Sequence, residues 1–291
     1  MMEKFIFTLV AIICCAISTS YAQEDRNPIY VIVLENVQYA HSNEKQSTGE
    51  SVHKIMTALA TGKTAEQLPQ YEKDVIAGIV QGLSGARRYR FAEEFLPEDS
   101  VQEGNVAVDA LITNIYGKSE TRTSTDKKGN TSVTTTYDVL VEARLTFKDL
   151  KTGRVMNTQS FDSRDNLFTS SSSQDQAFRH AINSMIRSIA RWLNKQQPLQ
   201  ANVTEGAKVK KDKQKEVNID LGSREGAVAG MHFEVYLTKT IEGKETRQKI
   251  GKLKIETVEG DNISRCKVQR GAKEIKAALD AGDELKVISI D

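Results

Sequence analysis

Apolar and polar positions are most tightly ordered between residues 106 and 161. Residues 106–116, 137–147 and 154–161 are dense in Val, Ile, Leu and aromatic side chains with partial alternation. Asp149-Leu-Lys-Thr-Gly153 joins the last two as a turn closed by glycine. This predicts three consecutive antiparallel strands. A polar insert, 117–136, separates the first two. In it Thr121, Thr123 and Thr125 alternate with Arg122, Ser124 and Asp126, Lys127-Lys128-Gly129-Asn130 supplies a turn, and 131–136 returns in β-favouring residues. The insert therefore reads as a long hairpin, polar on both sides. A membrane-crossing hairpin needs an apolar residue at every second position, and Val133 alone does not supply a lipid face. Thr121, Thr123, Thr125, Lys127, Lys128, Thr131 and Thr135 are the candidate partner-binding residues of this arm. A solvated loop is the other reading the residues allow.

Upstream, 27–34 is a continuous apolar run bounded by Pro28, the pattern of a strand buried on both faces. After a polar stretch, Val52, Ile55, Met56 and Leu59 mark a helix. Val75, Ile76, Ile79, Val80 and Leu83 mark a second one over 70–83, with Gly85 ending it and a strand over 88–95. Downstream, 174–195 carries Phe178, Ala181, Ile182, Met185, Ile189, Trp192 and Leu193 at helical spacing, the pattern of a helix packed on a sheet. Gln196-Gln-Pro-Leu199 ends it and sets a domain boundary. Beyond 201 the chain turns to short strands at 217–221, 231–237, 250–255, 263–268 and 284–290, which suggests a small barrel of roughly five or six strands. Two segments echo each other, Ala229-Gly-Met-His-Phe-Glu-Val235 and Ala281-Gly-Asp-Glu-Leu-Lys-Val287, each glycine expected to turn the chain into a strand. The lysine run at 208–215 reads as a solvated linker. The expected architecture is an α/β (α+β) domain over 23–200, its mainly antiparallel sheet backed by helices, followed by a small all-β barrel over 201–291.

Composition narrows the setting. Lys4, the apolar run 5–17 and the small residues of Ser20-Tyr21-Ala22 form a cleavable export signal over 1–22, which places the protein in the periplasm or against the outer membrane. Cys14 and Cys15 lie inside the apolar run and follow Ile12-Ile13, unlike a lipidation site. Cleavage leaves Cys266 alone, so no intrachain disulfide can form, and Cys266 reads as a small core residue. The formal charge of +1 gives no case for nucleic acid.

Chemistry is sparse. His41, His53, His180 and His232 are scattered, no metal-ligand spacing occurs, and Gly82-Leu-Ser-Gly85 lacks the frame of a nucleophile elbow. Thr61-Gly-Lys-Thr64 has Thr57 where a phosphate loop needs glycine, so it reads as a helix end. Asp109 interrupts an apolar strand, and its expected role is to cap a helix or bind loop N–H groups; a buried carboxylate there has catalysis as its other reading. No catalytic, cofactor or metal site is predicted.

The opening strand 29–34, the helix over 75–83 leading to Tyr89-Arg-Phe91, Ala107-Val-Asp-Ala-Leu-Ile112 and the hairpin 143–155 together resemble the curli-secretion (CsgG-type) superfamily, which includes lipoprotein activators of penicillin-binding proteins. Asn218-Ile-Asp-Leu-Gly222, Gly226, Gly230-Met-His-Phe-Glu-Val235 and the closing Ala-Gly-Asp-Glu-Leu are similar to the end domain of the flagellar-assembly protein FlgT. The resemblance implies an envelope protein that docks onto a larger assembly, or a subunit of a ring or secretion channel that self-associates. The chain departs from the channel members. Its only long hairpin is polar, 162–174 is too short to hold a second one, and the lipid anchor is missing.

Overall fold

The described residues of the computed structural model are 26–41, 63–93, 96, 102–163, 171–241 and 244–290. The export signal, the helix expected at 51–59 and His53 lie outside them. Strands β1 (Tyr30–Tyr39), β2 (Lys63–Gln67), β3 (Tyr89–Ala92), β4 (Val106–Thr125), β5 (Thr131–Asp149) and β6 (Val155–Asp162) form one sheet in the order β3-β1-β4-β5-β6, with β2 laid against the far part of β4. The three strands expected between 106 and 161 are β4, β5 and β6, antiparallel as predicted. β1 runs parallel to both β3 and β4, which makes the sheet mixed. Val31, Ile32 and Val33 are buried in succession, as expected of a strand covered on both faces.

Helices α1 (Glu72–Ser84) and α2 (Gln174–Gln196) pack against each other, and α2 also packs on β5 and β6. The stripe Val75, Ile79, Leu83 of α1 meets Ile182, Met185 and Ile189 of α2 in a core shared with Ile112, Ile115 and Leu145 of the sheet. The two helices approach closely because Gly78 and Gly82 have no side chain: a Cβ on Gly78 would fall 2.6 Å from Ile182 Cγ1, and one on Gly82 2.9 Å from Ile189 Cβ. Ser173 caps α2, its hydroxyl accepting from the Gln176 N–H at 3.3 Å. Near the other end, Trp192 stacks on Phe147 with centroids 4.6 Å apart and meets Phe161 edge-on at 5.9 Å. Such pairs are worth about 0.5–1.5 kcal/mol beyond their burial.

The C-terminal strands β7 (Gln200–Lys210), β8 (Lys213–Ile219), β9 (His232–Ile241), β10 (Lys244–Val258), β11 (Ser264–Arg270) and β12 (Leu285–Ser289) close into a six-stranded barrel in the order β10-β11-β8-β7-β12-β9. Its core, with Phe233, Val235, Leu253, Ile255, Cys266 and Val287, is separate from that of the sheet. Helix α3 (Ala272–Asp280) packs Ile275 and Ala278 into it. The echoed segments behave alike: Gly230 and Gly282 have φ of +95° and +74°, and they lead into β9 and β12, which pair with Val235 opposite Val287. The lysine run corrects the linker reading. Residues 208–215 end β7 and start β8, joined by Lys211 and Asp212 with φ of +51° and +53°, the two-residue hairpin turn that suits strand twist.

Between the two cores the chain is stapled at the start of β7. Arg88, 4% exposed, donates from Nε to the Pro28 carbonyl at 3.2 Å and from a terminal guanidinium nitrogen to the Pro198 carbonyl at 3.3 Å, with the guanidinium over the Tyr30 ring. Arg26 pairs with Asp220 at 2.8 Å. No helix among the described residues is long and apolar enough to cross a membrane.

Candidate partner-binding arm

β4 and β5 do not stop at the edge of the packed sheet. Their ladder runs from Val106 opposite Asp149 to Thr125 opposite Thr131, so the polar insert is the outer half of the same two strands. β2 supports the base, pairing with Tyr116 to Glu120 of β4, and Ser171 bridges to Tyr137 on the β5 side. From Thr121 onward β4 pairs with β5 alone, and no other strand among the described residues covers either outer edge of the arm.

Alternation along the strands sorts the arm into two faces. One carries Thr121 opposite Thr135, Thr123 opposite Val133 and Thr125 opposite Thr131. The hydroxyls of the outer pairs bond across the ladder, 3.0 Å for Thr121–Thr135 and 3.2 Å for Thr125–Thr131. Those hydroxyls are engaged across the ladder, and Val133 at the centre of the face is 66% exposed. In the ladder this face continues the one that buries Ile115 and Val141 beneath the helices. The opposite face carries Glu120, Arg122 and Ser124, with Arg122 Nε paired to Glu120 at 3.0 Å. Five of the seven predicted residues thus meet on one face, while Lys127 and Lys128 sit in the turn, away from it.

The turn is held by a residue the site prediction left out. Asp126 Oδ1 accepts from the N–H groups of Lys128 at 2.8 Å and Asn130 at 2.9 Å, and Oδ2 accepts from Asn130 Nδ2 at 2.9 Å. These bonds, those of Asn130 foremost, hold the exposed Asp126 carboxyl below its ordinary range. The Asp-x-x-Gly-Asn signature was visible in the sequence as an Asx turn. Val133 was visible too, as the only large apolar residue of the insert.

The other candidates fall away from the arm. Asp109 neither caps a helix nor binds loop N–H groups: its Oδ2 lies 2.6 Å from Lys148 Nζ, which also reaches Glu35 at 2.7 Å, and Asn36 Nδ2 donates to its Oδ1 at 2.9 Å. Burial pushes the Asp109 carboxyl up, but the bonds from Lys148 and Asn36 and the lysine charge outweigh it and leave it below the ordinary value. Lys148 is raised by Asp109 first and Glu35 second. This half-exposed ion trio joins β1, β4 and β5, and its carboxylate stays charged at neutral pH. Lys63 and Thr64 open β2, so the helix that a phosphate loop must feed is absent there. Cys266 is fully buried in the barrel, with its thiol pushed up to about 12 by burial and then by Glu256. Among the described residues no three His, Cys, Asp or Glu side chains gather as a metal site.

No family model matches the chain, and no curated protein matches it. Among solved structures, one described as a neuraminyllactose-binding hemagglutinin homologue from Helicobacter pylori is 14% identical, covers 58% of this chain and 85% of its own, and has a TM-score of 0.27. The hypothetical protein CT253 from Chlamydia trachomatis is likewise 14% identical at a TM-score of 0.27, over 58% of this chain and 95% of its own.

Proposed function

We propose that the chain is an exported cell-envelope protein that works without catalysis, as an assembly, adaptor or accessory component, and that it holds its protein partner with the arm. One observation carries this reading: the ladder of β4 and β5 extends past the packed sheet and ends in a face of five threonines around the exposed Val133. A turn serving only to connect two strands needs two to five residues. This one spends five further rungs beyond its support on β2. The exposed Val133 supplies apolar contact, and the strand edges supply backbone hydrogen bonds to an incoming strand. The export signal read from residues 1–22 gives the compartment.

A photo-crosslinking side chain placed at Thr123, and separately at Arg122 on the opposite face, tests it in cells of the native host. Thr123 is expected to yield discrete adducts with envelope proteins and Arg122 few. Equal yields from the two faces, or none from either, would sink the arm as the binding element.

A further inference from the structure

The hairpin of β7 and β8 leaves the barrel with a concentrated charge. β12 pairs with β7 only from Gln200 to Asn202, and β11 pairs with β8 only from Glu216 to Ile219. Outside those residues β7 and β8 pair only with each other among the described residues, and 204–213 is exposed throughout. Five lysines against Asp212 give 208–215 a charge of +4, in a chain whose formal charge is +1. Lys208 pairs with Glu216 at 3.2 Å. Lys210, Lys211, Lys213 and Lys215 make no ion pair among the described residues. Lys210 stands directly opposite Lys213. Like charges so placed oppose the pairing of their strands, and protecting an edge does not require two lysines to face each other.

The hairpin is nevertheless held in order. Gln214 is 2% exposed, and its Nε2 donates to the carbonyls of Glu216 at 2.6 Å and Lys208 at 3.3 Å. The amide lies against Gly206, where a Cβ would fall 2.8 Å from Nε2. This clasp spans the irregular part of the ladder, and Lys211-Asp212 closes the tip. The lysines are displayed on an ordered finger.

The residue types select what the finger meets. No arginine and no aromatic residue occurs from Gln200 to Ile219. Arginine forks read single carboxylates and phosphates in bidentate geometry, and aromatic rings stack on bases, whereas lysine ammonium groups act as hydrated point charges. A projecting tip without surrounding walls suits an extended sheet of negative charge rather than one enclosed anion. Met end-on by such a surface, Val209, 51% exposed on the rung behind Lys210, reaches the headgroup boundary, where an apolar side chain gains from burial.

We propose that the β7–β8 hairpin is an electrostatic foot that rests the barrel on an anionic lipid bilayer, with Lys210, Lys211 and Lys213 at the headgroups. The attachment is peripheral, and it goes beyond the arm reading because it uses none of the arm's residues.

Co-sedimentation with vesicles tests it on the exported chain starting at Gln23. Wild type is expected to bind vesicles of equal parts phosphatidylglycerol and phosphatidylcholine at about 50 mM salt, to leave them at about 300 mM, and to ignore pure phosphatidylcholine. Lys210→Gln with Lys213→Gln weakens binding by roughly 25-fold, about fivefold for each lysine near the surface. Lys210→Arg with Lys213→Arg retains it. The glutamine pair unfolds at an equal or higher urea concentration, because like charges no longer face each other. Equal binding to both vesicle types, no binding to either, indifference to the glutamine pair, or an arginine pair that binds no better than the glutamine pair overturns the proposal. So does retention on immobilised polyglutamate without retention on vesicles, which assigns the hairpin to an acidic peptide instead.

Discussion

The side-chain amide of Asn27 copies a strand partner for Gln200. Its Oδ1 accepts from the Gln200 N–H at 2.9 Å and its Nδ2 donates to the Gln200 carbonyl at 2.8 Å. The residue is 3% exposed, so neither bond is replaced by water when it is lost. Asn27→Ala should therefore cost about 1–3 kcal/mol, the desolvation penalty of the groups left unmatched at the start of β7. Urea unfolding followed by Trp192 fluorescence and by far-ultraviolet circular dichroism measures it. An unchanged midpoint would show that the staple adds nothing.

Gly78 has room for hydrogen only. Gly78→Ala must displace the Ile182 side chain or part the helices, and overpacking of this kind costs about 1–3 kcal/mol. Adding Ile182→Val should recover part of the loss in the same urea unfolding assay, because it removes the methyl nearest the new Cβ.

The ion trio of Glu35, Asp109 and Lys148 predicts a pH signature. Asp109 sits lower in the folded chain than in the unfolded one, so its stabilisation is present above the ordinary carboxylate range and fades as pH falls through the lowered folded value. Lys148 sits higher when folded, so its share is present below the ordinary lysine value and is lost as pH rises through the raised one. Asp109→Asn should cost roughly 0.5–1 kcal/mol at pH 7, a modest figure because the pair is about one-third exposed to water. The gap between variant and wild type should close below about pH 4. A gap of constant size down to acid pH would assign the loss to packing instead.

Cys266 should resist thiol reagents. With its thiol pushed up to about 12 and no surface exposed, maleimide labelling at neutral pH is expected to be slower by on the order of tenfold or more in the native chain than in urea. Peptide mapping by mass spectrometry locates the label. Fast native labelling at Cys266 would mean that the barrel opens readily.

What the sequence made legible follows from pattern strength. The three sheet strands, the α2 stripe and the paired Ala-Gly frames announced themselves because hydrophobic periodicity and glycine turns are local signals. β7 escaped because 204–210 is exposed on the arm-like outer half of its hairpin with β8, which leaves little apolar alternation to read. α3 escaped because nine residues with two buried side chains show barely one period. The parallel joining of β1 to β4 and the diagonal meeting of Asp109 with Lys148 depend on strand order and register, which spacing along the chain does not carry. In the arm, the alternating threonines were readable. That they share a face with Val133 required the turn length to fix which residues stand opposite.

The unbroken course of β4 has a mechanical side. A force on the tip near Asp126 would pull along a ladder that ends at Val106, buried in the core, opposite Asp149 at the surface turn. Tension applied there loads the rungs of β4 and β5 in shear, so many must fail together before the tip gives way. The one register shift, between Ile112 and Asn114, lies where the ladder leaves the region flanked by β1, and it is where a bulge bends the strand. The arm is thus built as a stiff lever hinged close to the body, able to pass a displacement at its end directly into the sheet.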